Sequence, residues 1–123
     1  MATAADVAGF LSRFKTVMNF GPFSLVERAK TMKGLGDLGL TINEAKDVIT
    51  SLTHNNYCCG PEPDRDGTQG EVWVFGADLE GVEAYIKLKL APDTRKKNVQ
   101  WAKVLAFHPA DRPLTYPLRG GGL

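Results

Sequence analysis

The sequence has few of the features that hold small secreted proteins together or carry a chain into a membrane. It contains only two cysteines, Cys58 and Cys59, and adjacent thiols cannot connect distant segments. It has no apolar run near the roughly 20 residues that cross a bilayer. Residues 1–14 lack the basic start and uninterrupted apolar stretch of a secretory signal. These absences predict a protein of the reducing cytoplasm with no membrane partner.

The spacings that bind metals or phosphate cofactors are also missing. No C-x₂-C or H-x₃-H pattern occurs, and adjacent cysteines chelate one zinc ion poorly. No oriented base accompanies the thiols for nucleophilic catalysis. The acidic stretch 60–67 lacks the ligand register of a calcium loop, and no glycine-rich loop joins a strand to a helix. We therefore expect neither a metal nor a cofactor. The side chains of zinc-binding type to which this applies are His54, Cys58, Cys59 and His108.

The 123 residues predict a single domain over residues 1–119, with a flexible tail at 120–123. The net charge of +1 conceals an asymmetry along the chain. Residues 61–83 hold one basic and seven acidic side chains, whereas residues 84–123 hold eight basic and two acidic ones. The last third could therefore offer a positive surface to a polyanion, or it could be an ordinary solvated surface.

The first half of the sequence has helical periodicity. Apolar residues recur at helical spacing from Val7 to Met18. Two S/T-x-x-E patterns, at 24–27 and 41–44, predict capping boxes that open two further helices. Asn, Gly and Pro in residues 54–63 predict a turn after the third helix.

The second half alternates with the period of strands. Residues 71–76 and 82–90 read as a hairpin, and residues 99–108 as a third strand after a charged loop. The proline- and glycine-rich stretch 109–123 should be irregular, packed by Leu114 and Tyr116. Helices followed by strands predict an α+β fold with a meandering antiparallel sheet.

Candidate functional side chains lie on one side of these strands. Tyr85, Lys87 and Lys89 share a face, while Lys103 and His108 belong to the next strand. Such a row is either the wet side of a sheet or a site that cleaves RNA without a metal. Because Lys103 and His108 are five residues apart, they share a face only if a bulge lies near 104–107.

The chain resembles the MqsR-type toxins of bacterial type II toxin–antitoxin pairs. The resemblance runs through residues 11–21, 35–52, 72–76, 85–90 and 103–108, with an aromatic junction at Tyr57. It implies a RelE-like microbial RNase fold and an mRNA interferase, an endoribonuclease that cuts mRNA and is neutralised by a cognate antitoxin protein. The implied catalytic residues are Tyr85, Lys87 and His108. The residues expected to bind RNA are Tyr57, from this resemblance, and the cations of the strand face and the charged loop, namely Lys89, Arg95, Lys96, Lys97 and Lys103.

Three positions depart from the family pattern. His108 and Cys58 stand where the family has lysines, and Val74 stands where it has a glutamine. Histidine can still transfer a proton near neutral pH, but cysteine and valine replace neither a cation nor an amide. Two alternatives therefore stay open: a RelE-fold binding module that does not cut, and a regulator whose acidic segment 61–83, with Asp64 and Asp66, mimics nucleic acid.

Overall fold

A computed structural model describes residues 1–120 of the chain. Within that range three α-helices and one short 3₁₀ helix accompany a five-stranded sheet. The helices are α1 (Ala4–Phe20), α2 (Arg28–Asp37) and α3 (Ile42–Ser51), with the 3₁₀ turn at His54–Asn56. The strands are β1 (Phe23–Leu25), β2 (Tyr57–Pro63), β3 (Glu71–Leu79), β4 (Val82–Pro92) and β5 (Gln100–Pro109).

The helix starts confirm one of the two expected capping boxes. Thr41 accepts the amide of Glu44 at 3.1 Å, and the Glu44 carboxylate accepts the amide of Thr41 at 3.0 Å. The box expected at 24–27 is wrong, because Ser24 lies inside β1. Helix α2 instead follows Glu27, which has a left-handed φ of 48° and caps nothing with its side chain. Thr3 and Asp6 form a further box at the start of α1 that the sequence analysis missed.

The sheet has the strand order β1-β5-β4-β3-β2. Strands β2 to β5 form the expected antiparallel meander, but β1 pairs with β5 in parallel, so the sheet is mixed. Strand β2 falls in the stretch that was predicted to be a turn. The β3–β4 hairpin turns on Glu80 and Gly81, whose φ values of 54° and 87° suit a two-residue hairpin loop.

One face of the sheet packs on the helices. Alternate residues of β3, β4 and β5 join the apolar stripe of α1 in a single core. Phe10 of α1 stacks on Trp73 at 4.6 Å between ring centroids. This arrangement confirms the apolar side of the alternating strand 82–90 as core. Its members on β4 are Ala84, Ile86, Leu88 and Leu90.

The opposite face carries the candidate site residues. We term it the helix-free face, and α2 borders it only at its β5 edge, beside His108. Tyr85 pairs with His108 and Lys89 pairs with Lys103 across β4 and β5. Between these pairs the register shifts, so that Leu105 has no partner on β4. This extra residue is the bulge that the five-residue spacing required, and it places Lys103 and His108 on the same face.

The segment after β5 folds back onto the sheet. Residues 110–118 are irregular, as expected. Glu83 accepts the amide of Leu114 at 2.8 Å and the hydroxyl of Tyr116 at 2.7 Å. The expected packing by these two residues is therefore present. Of the expected flexible tail at 120–123, residues 121–123 lie outside the described range. Among the described helices, none has the length and apolar character that crossing a membrane requires.

Helix α2 lies against β5 beside His108. A Cβ atom built on Gly34 would overlap the carbonyl oxygen of Phe107 and lie 2.8 Å from the Cβ of His108. Gly36, in the same helix, has no such neighbour within 4 Å. The absent side chain at Gly34 is therefore what lets α2 approach the strand that carries His108.

We expect Gly34→Ala to lower the free energy of unfolding by about 1–3 kcal/mol, because the new methyl group forces α2 off β5. Gly36→Ala is the matched control and should raise stability by up to about 1 kcal/mol through helix propensity. Urea denaturation of both variants measures the difference. Equal effects of the two substitutions would show that α2 does not pack as described.

Candidate functional site

Tyr85 and His108 form the centre of the candidate site. They are directly opposed on β4 and β5, and their rings stack with centroids 5.2 Å apart and planes 17° from parallel. Both side chains line a cleft of about 680 Å³ on the helix-free face. We term it the His108 cleft. Two of the three expected catalytic residues thus lie side by side in one cleft.

A backbone hydrogen bond fixes the orientation of the His108 ring. The Nδ1 atom lies 2.7 Å from the carbonyl oxygen of Pro109. Since a carbonyl oxygen can only accept, Nδ1 must carry a proton in that bond. In the neutral ring Nε2 is then the atom with the free lone pair. His108 can therefore accept a proton at Nε2 and return it from the same atom.

Cations surround these two rings. Lys30 comes from α2, Arg65 from the loop after β2, and Arg112 from the segment after β5. Asp111 is the carboxylate in the lining of the same cleft. Three cations against one carboxylate make the His108 cleft a positive one, suited to a phosphate group. None of these three cations was among the expected site residues.

Sequence reasoning had little signal for Lys30, Arg65 and Arg112. Each lies in a different segment, and Arg65 lies within the most acidic stretch of the chain. Only the folding of residues 64–70 and 110–116 over the sheet brings the two arginines to His108. The prolines that flank Arg112 and Arg65 indicated irregular chain, but not where that chain would pack.

Lys87 follows Tyr85 two positions along β4 on the helix-free face and pairs with Ala106. Burial raises the pKa of the Cys59 thiol, and the positive charge of Lys87 opposes that rise. The Lys87 ammonium group therefore lies near that thiol. Burial likewise raises the pKa of Tyr85, against the lowering effect of Arg65. The Tyr85 phenol therefore stays protonated at neutral pH and can donate a hydrogen bond.

Two of the three departures from the MqsR-type pattern, at Val74 and Cys58, lie on the strands beside this site. Val74 is buried on β3, opposite Lys87 and Cys59. Cys58 is half-buried, and burial together with the neighbouring Cys59 raises its pKa to about 12. A thiol with that pKa carries no charge at neutral pH. Neither position supplies the polar group that the family has there.

Lys89 is a correction to the expected RNA-binding set. Its side chain is 3% exposed, and its ammonium group donates to Asp64 at 2.7 Å and to Thr68 at 2.6 Å. The 64–70 loop thus covers Lys89 and occupies its charge. The same pair removes Asp64 from the acidic surface that a nucleic-acid mimic would need. Asp66 is also engaged, by the amide and hydroxyl of Thr68.

Tyr57 is the second correction. It is 1% exposed and lies in the core, edge-on to Trp73 and Phe75. Its hydroxyl donates to the carbonyl oxygen of Gly60. A ring packed on every side has no free face for a base, so Tyr57 supports the sheet and does not contact RNA in this arrangement.

The remaining expected residues lie at the other end of the helix-free face. Lys103 and Arg95 line a separate cleft of about 380 Å³ with Trp101 and Asp93. Lys96 and Lys97 are exposed in the loop beside it. The structure therefore divides the expected site in two. Tyr85, Lys87 and His108 lie at one end, and the basic loop with Lys103 lies at the other.

Among residues 1–120, no group of three or more His, Cys, Asp or Glu side chains is placed to hold a metal ion. Comparison with protein families, with curated proteins and with solved structures finds no match for this chain.

The Lys89–Asp64 pair generates a stability prediction. Asp64→Asn leaves a buried ammonium group without its countercharge and should lower the free energy of unfolding by about 3–5 kcal/mol. Asp47→Asn, on the exposed surface of α3, is the control and should change it by less than about 0.5 kcal/mol. Chemical denaturation gives both values. If Asp64→Asn proves as mild as the control, Lys89 is not buried with Asp64.

The raised pKa values generate a reactivity prediction. At pH 8 the thiolate fraction of Cys58 is far below that of a free cysteine. In a Cys59→Ser variant, where Cys58 is the remaining thiol, we therefore expect iodoacetamide to alkylate Cys58 at least about tenfold more slowly than it alkylates free cysteine. The rate should return to that of free cysteine in denaturant. Mass spectrometry follows the reaction. Fast labelling of the folded protein would exclude the half-buried position of Cys58.

Proposed function

We propose that this chain is a metal-independent endoribonuclease of RelE-like fold that acts as the toxin of a type II toxin–antitoxin pair. The observation that carries the proposal is the meeting of Tyr85, His108 and three cations in the His108 cleft. The sequence resemblance to MqsR-type toxins supplies the biological role. The α+β architecture, with helices before a sheet that holds the site, is compatible with that resemblance.

In the proposed reaction His108 Nε2 takes the proton from a ribose 2′-hydroxyl. The 2′-oxygen then attacks the adjacent phosphorus, and the bond from phosphorus to the 5′-oxygen breaks. A proton must reach that leaving oxygen, and we assign its donation to the protonated phenol of Tyr85, whose ring stacks on that of His108. The products are a 2′,3′-cyclic phosphate and a free 5′-hydroxyl, so no bond to the protein forms.

Cations in the cleft stabilise the charge that gathers on the phosphate. Arg65 and Arg112 carry guanidinium groups, which can bind two phosphate oxygens at once. Lys30 adds charge from α2 within the cleft, and Lys87, which does not line it, adds charge from β4 two positions from Tyr85. Positive groups fixed in place before the reaction stabilise a developing anion without reorganising.

The same cations supply positive charge to a site that lacks the lysine and the glutamine of the family pattern, because this chain has Cys58 and Val74 at those positions. A site built on the family pattern would draw a charge and an amide from β2 and β3. Here Arg65 enters from the loop that follows β2, and Arg112 enters from the segment after β5. The positive charge is thus retained, although it comes from different elements.

A non-catalytic binding module is the second candidate function. The neutral Cys58 thiol and the apolar Val74 favour it, because they leave two positions on the neighbouring strands β2 and β3 without the polar groups of the family pattern. Such a module would bind RNA or a protein partner in a salt-dependent way and leave RNA intact. Expression of the chain alone would then allow normal growth, whereas a toxin should arrest growth until an antitoxin is co-expressed.

The decisive experiment incubates purified protein with an unstructured RNA oligonucleotide in EDTA. We expect cleavage to yield 2′,3′-cyclic phosphate ends, and we expect a 2′-deoxy substitution at the cleavage site to block it. His108→Ala and Tyr85→Phe should each lower the rate at least about tenfold, because each removes a proton-transfer group.

His54→Ala is the matched control, since His54 lies in the 3₁₀ turn and does not line the His108 cleft. Its rate should stay within about twofold of the parent protein. RNA that remains intact at high protein concentration would refute the nuclease and favour the binding module. Equal losses in the His54 and His108 variants would refute the site.

A further inference from the structure

We propose that Trp101 forms a second subsite on the helix-free face, where one base of a single-stranded RNA stacks while Arg95 and Lys103 bind its phosphates. This inference rests on the proposed nuclease function and adds to it the path of the substrate. Trp101 was absent from every set of expected site residues. The cleft it lines with Arg95 and Lys103 is termed the Trp101 cleft below.

The strand register places Trp101 on the same face as His108. Trp101 pairs with Ala91, just as Lys103 pairs with Lys89 and His108 with Tyr85. The bulge at Leu105 is essential to this placement, because a regular strand would separate Trp101 and Lys103 from His108. Trp101 is partly exposed and lines the Trp101 cleft, whose volume is about 380 Å³.

Asp93 fixes this tryptophan before any ligand arrives. The indole Nε1 donates to one oxygen of the Asp93 carboxylate at 2.7 Å. The other oxygen accepts the amides of Arg95 at 2.7 Å and Lys96 at 2.9 Å. The Trp101 hydrogen bond is the main reason that the pKa of Asp93 lies below its usual range. One carboxylate thus holds both the ring and the start of the basic loop.

The chemistry of this cleft matches a nucleotide in a single strand. Every base has a flat face that can stack on an indole, whatever the sequence. Lys103 lies two positions along β5 from Trp101, and Arg95 lines the same cleft, so phosphates on either side of a stacked base would meet a cation. A fixed aromatic ring beside cations is how proteins commonly bind unpaired RNA.

The distance between the two clefts sets the length of RNA required. Tyr85 and Ala91 mark the two ends on β4, and six residues of strand span about 20 Å. A single strand advances about 3.4 Å per stacked nucleotide and roughly twice that when extended. A substrate of about three to six nucleotides would therefore reach both ends.

The 64–70 loop determines whether RNA can follow the β4 half or the β5 half of the helix-free face. It covers Lys89 through Asp64 and Thr68, and Gly70 lies against Leu90 and Ala91. The β4 side of this face is therefore closed in the middle. The β5 side, through Ala106 and Lys103, connects the His108 cleft to the Trp101 cleft.

A deoxyoligonucleotide tests this subsite separately from catalysis, because DNA lacks the 2′-hydroxyl that the proposed reaction needs. Fluorescence anisotropy of a labelled, unstructured DNA octamer gives the affinity. We expect Trp101→Ala to weaken binding about tenfold, and Arg95→Ala and Lys103→Ala about threefold or more. A dinucleotide, too short to span the clefts, should bind weakly whether or not Trp101 is present.

Arg13→Ala, on α1 and outside the lining of both the His108 cleft and the Trp101 cleft, is the charge control and should stay within about twofold. In Trp73→Phe, where Trp101 is the remaining tryptophan, binding of the octamer should quench the tryptophan fluorescence.

If Trp101→Ala disturbs the loop that carries Arg95, the affinities of Arg95→Ala and Lys103→Ala still decide whether the subsite exists. Unchanged affinity in those two variants overturns the subsite even if RNA is cleaved. Trp101-dependent binding without cleavage of RNA keeps the subsite and removes the nuclease function.

Discussion

The pairing of β4 with β5 is the constraint on which the rest of the molecule depends. The strands form the centre of the sheet, with β1 and β3 on either side. Their register decides which side chains enter the core and which reach the helix-free face, because one residue of slip reverses every side chain. The unpaired Leu105 corrects that register in mid-strand. It lets Phe107 stay in the core while His108 and Lys103 share the other face.

A flat row of polar side chains on a sheet is not by itself a site. Two irregular segments turn part of this face into clefts. The buried ion pair of Lys89 with Asp64 holds the 64–70 loop down, and Glu83 holds the segment after β5 through Leu114 and Tyr116. The ammonium group of Lys89 therefore holds the 64–70 loop, which forms one wall of the site, and does not bind a substrate.

The sequence predicted most of what short-range periodicity governs. The three helices, the hairpin and the shared face of Tyr85 and Lys87 followed from spacing and from turn and cap residues. Spacing also indicated that Lys103 and His108 could share a face only through a bulge. The parallel strand β1 was missed because three residues are too few to show a period. Burial of Lys89 and Tyr57, and the entry of Arg65, depend on how distant segments pack, which local pattern does not encode.

We propose that RNA lies along the helix-free face with its scissile phosphate at His108. The sharpest test is a crystal structure with a short RNA strand that carries one 2′-deoxy nucleotide. We expect the phosphate beside Nε2 of His108 and the guanidinium of Arg65, and a base on Trp101. RNA bound across α1, or a phosphate remote from His108, would contradict it.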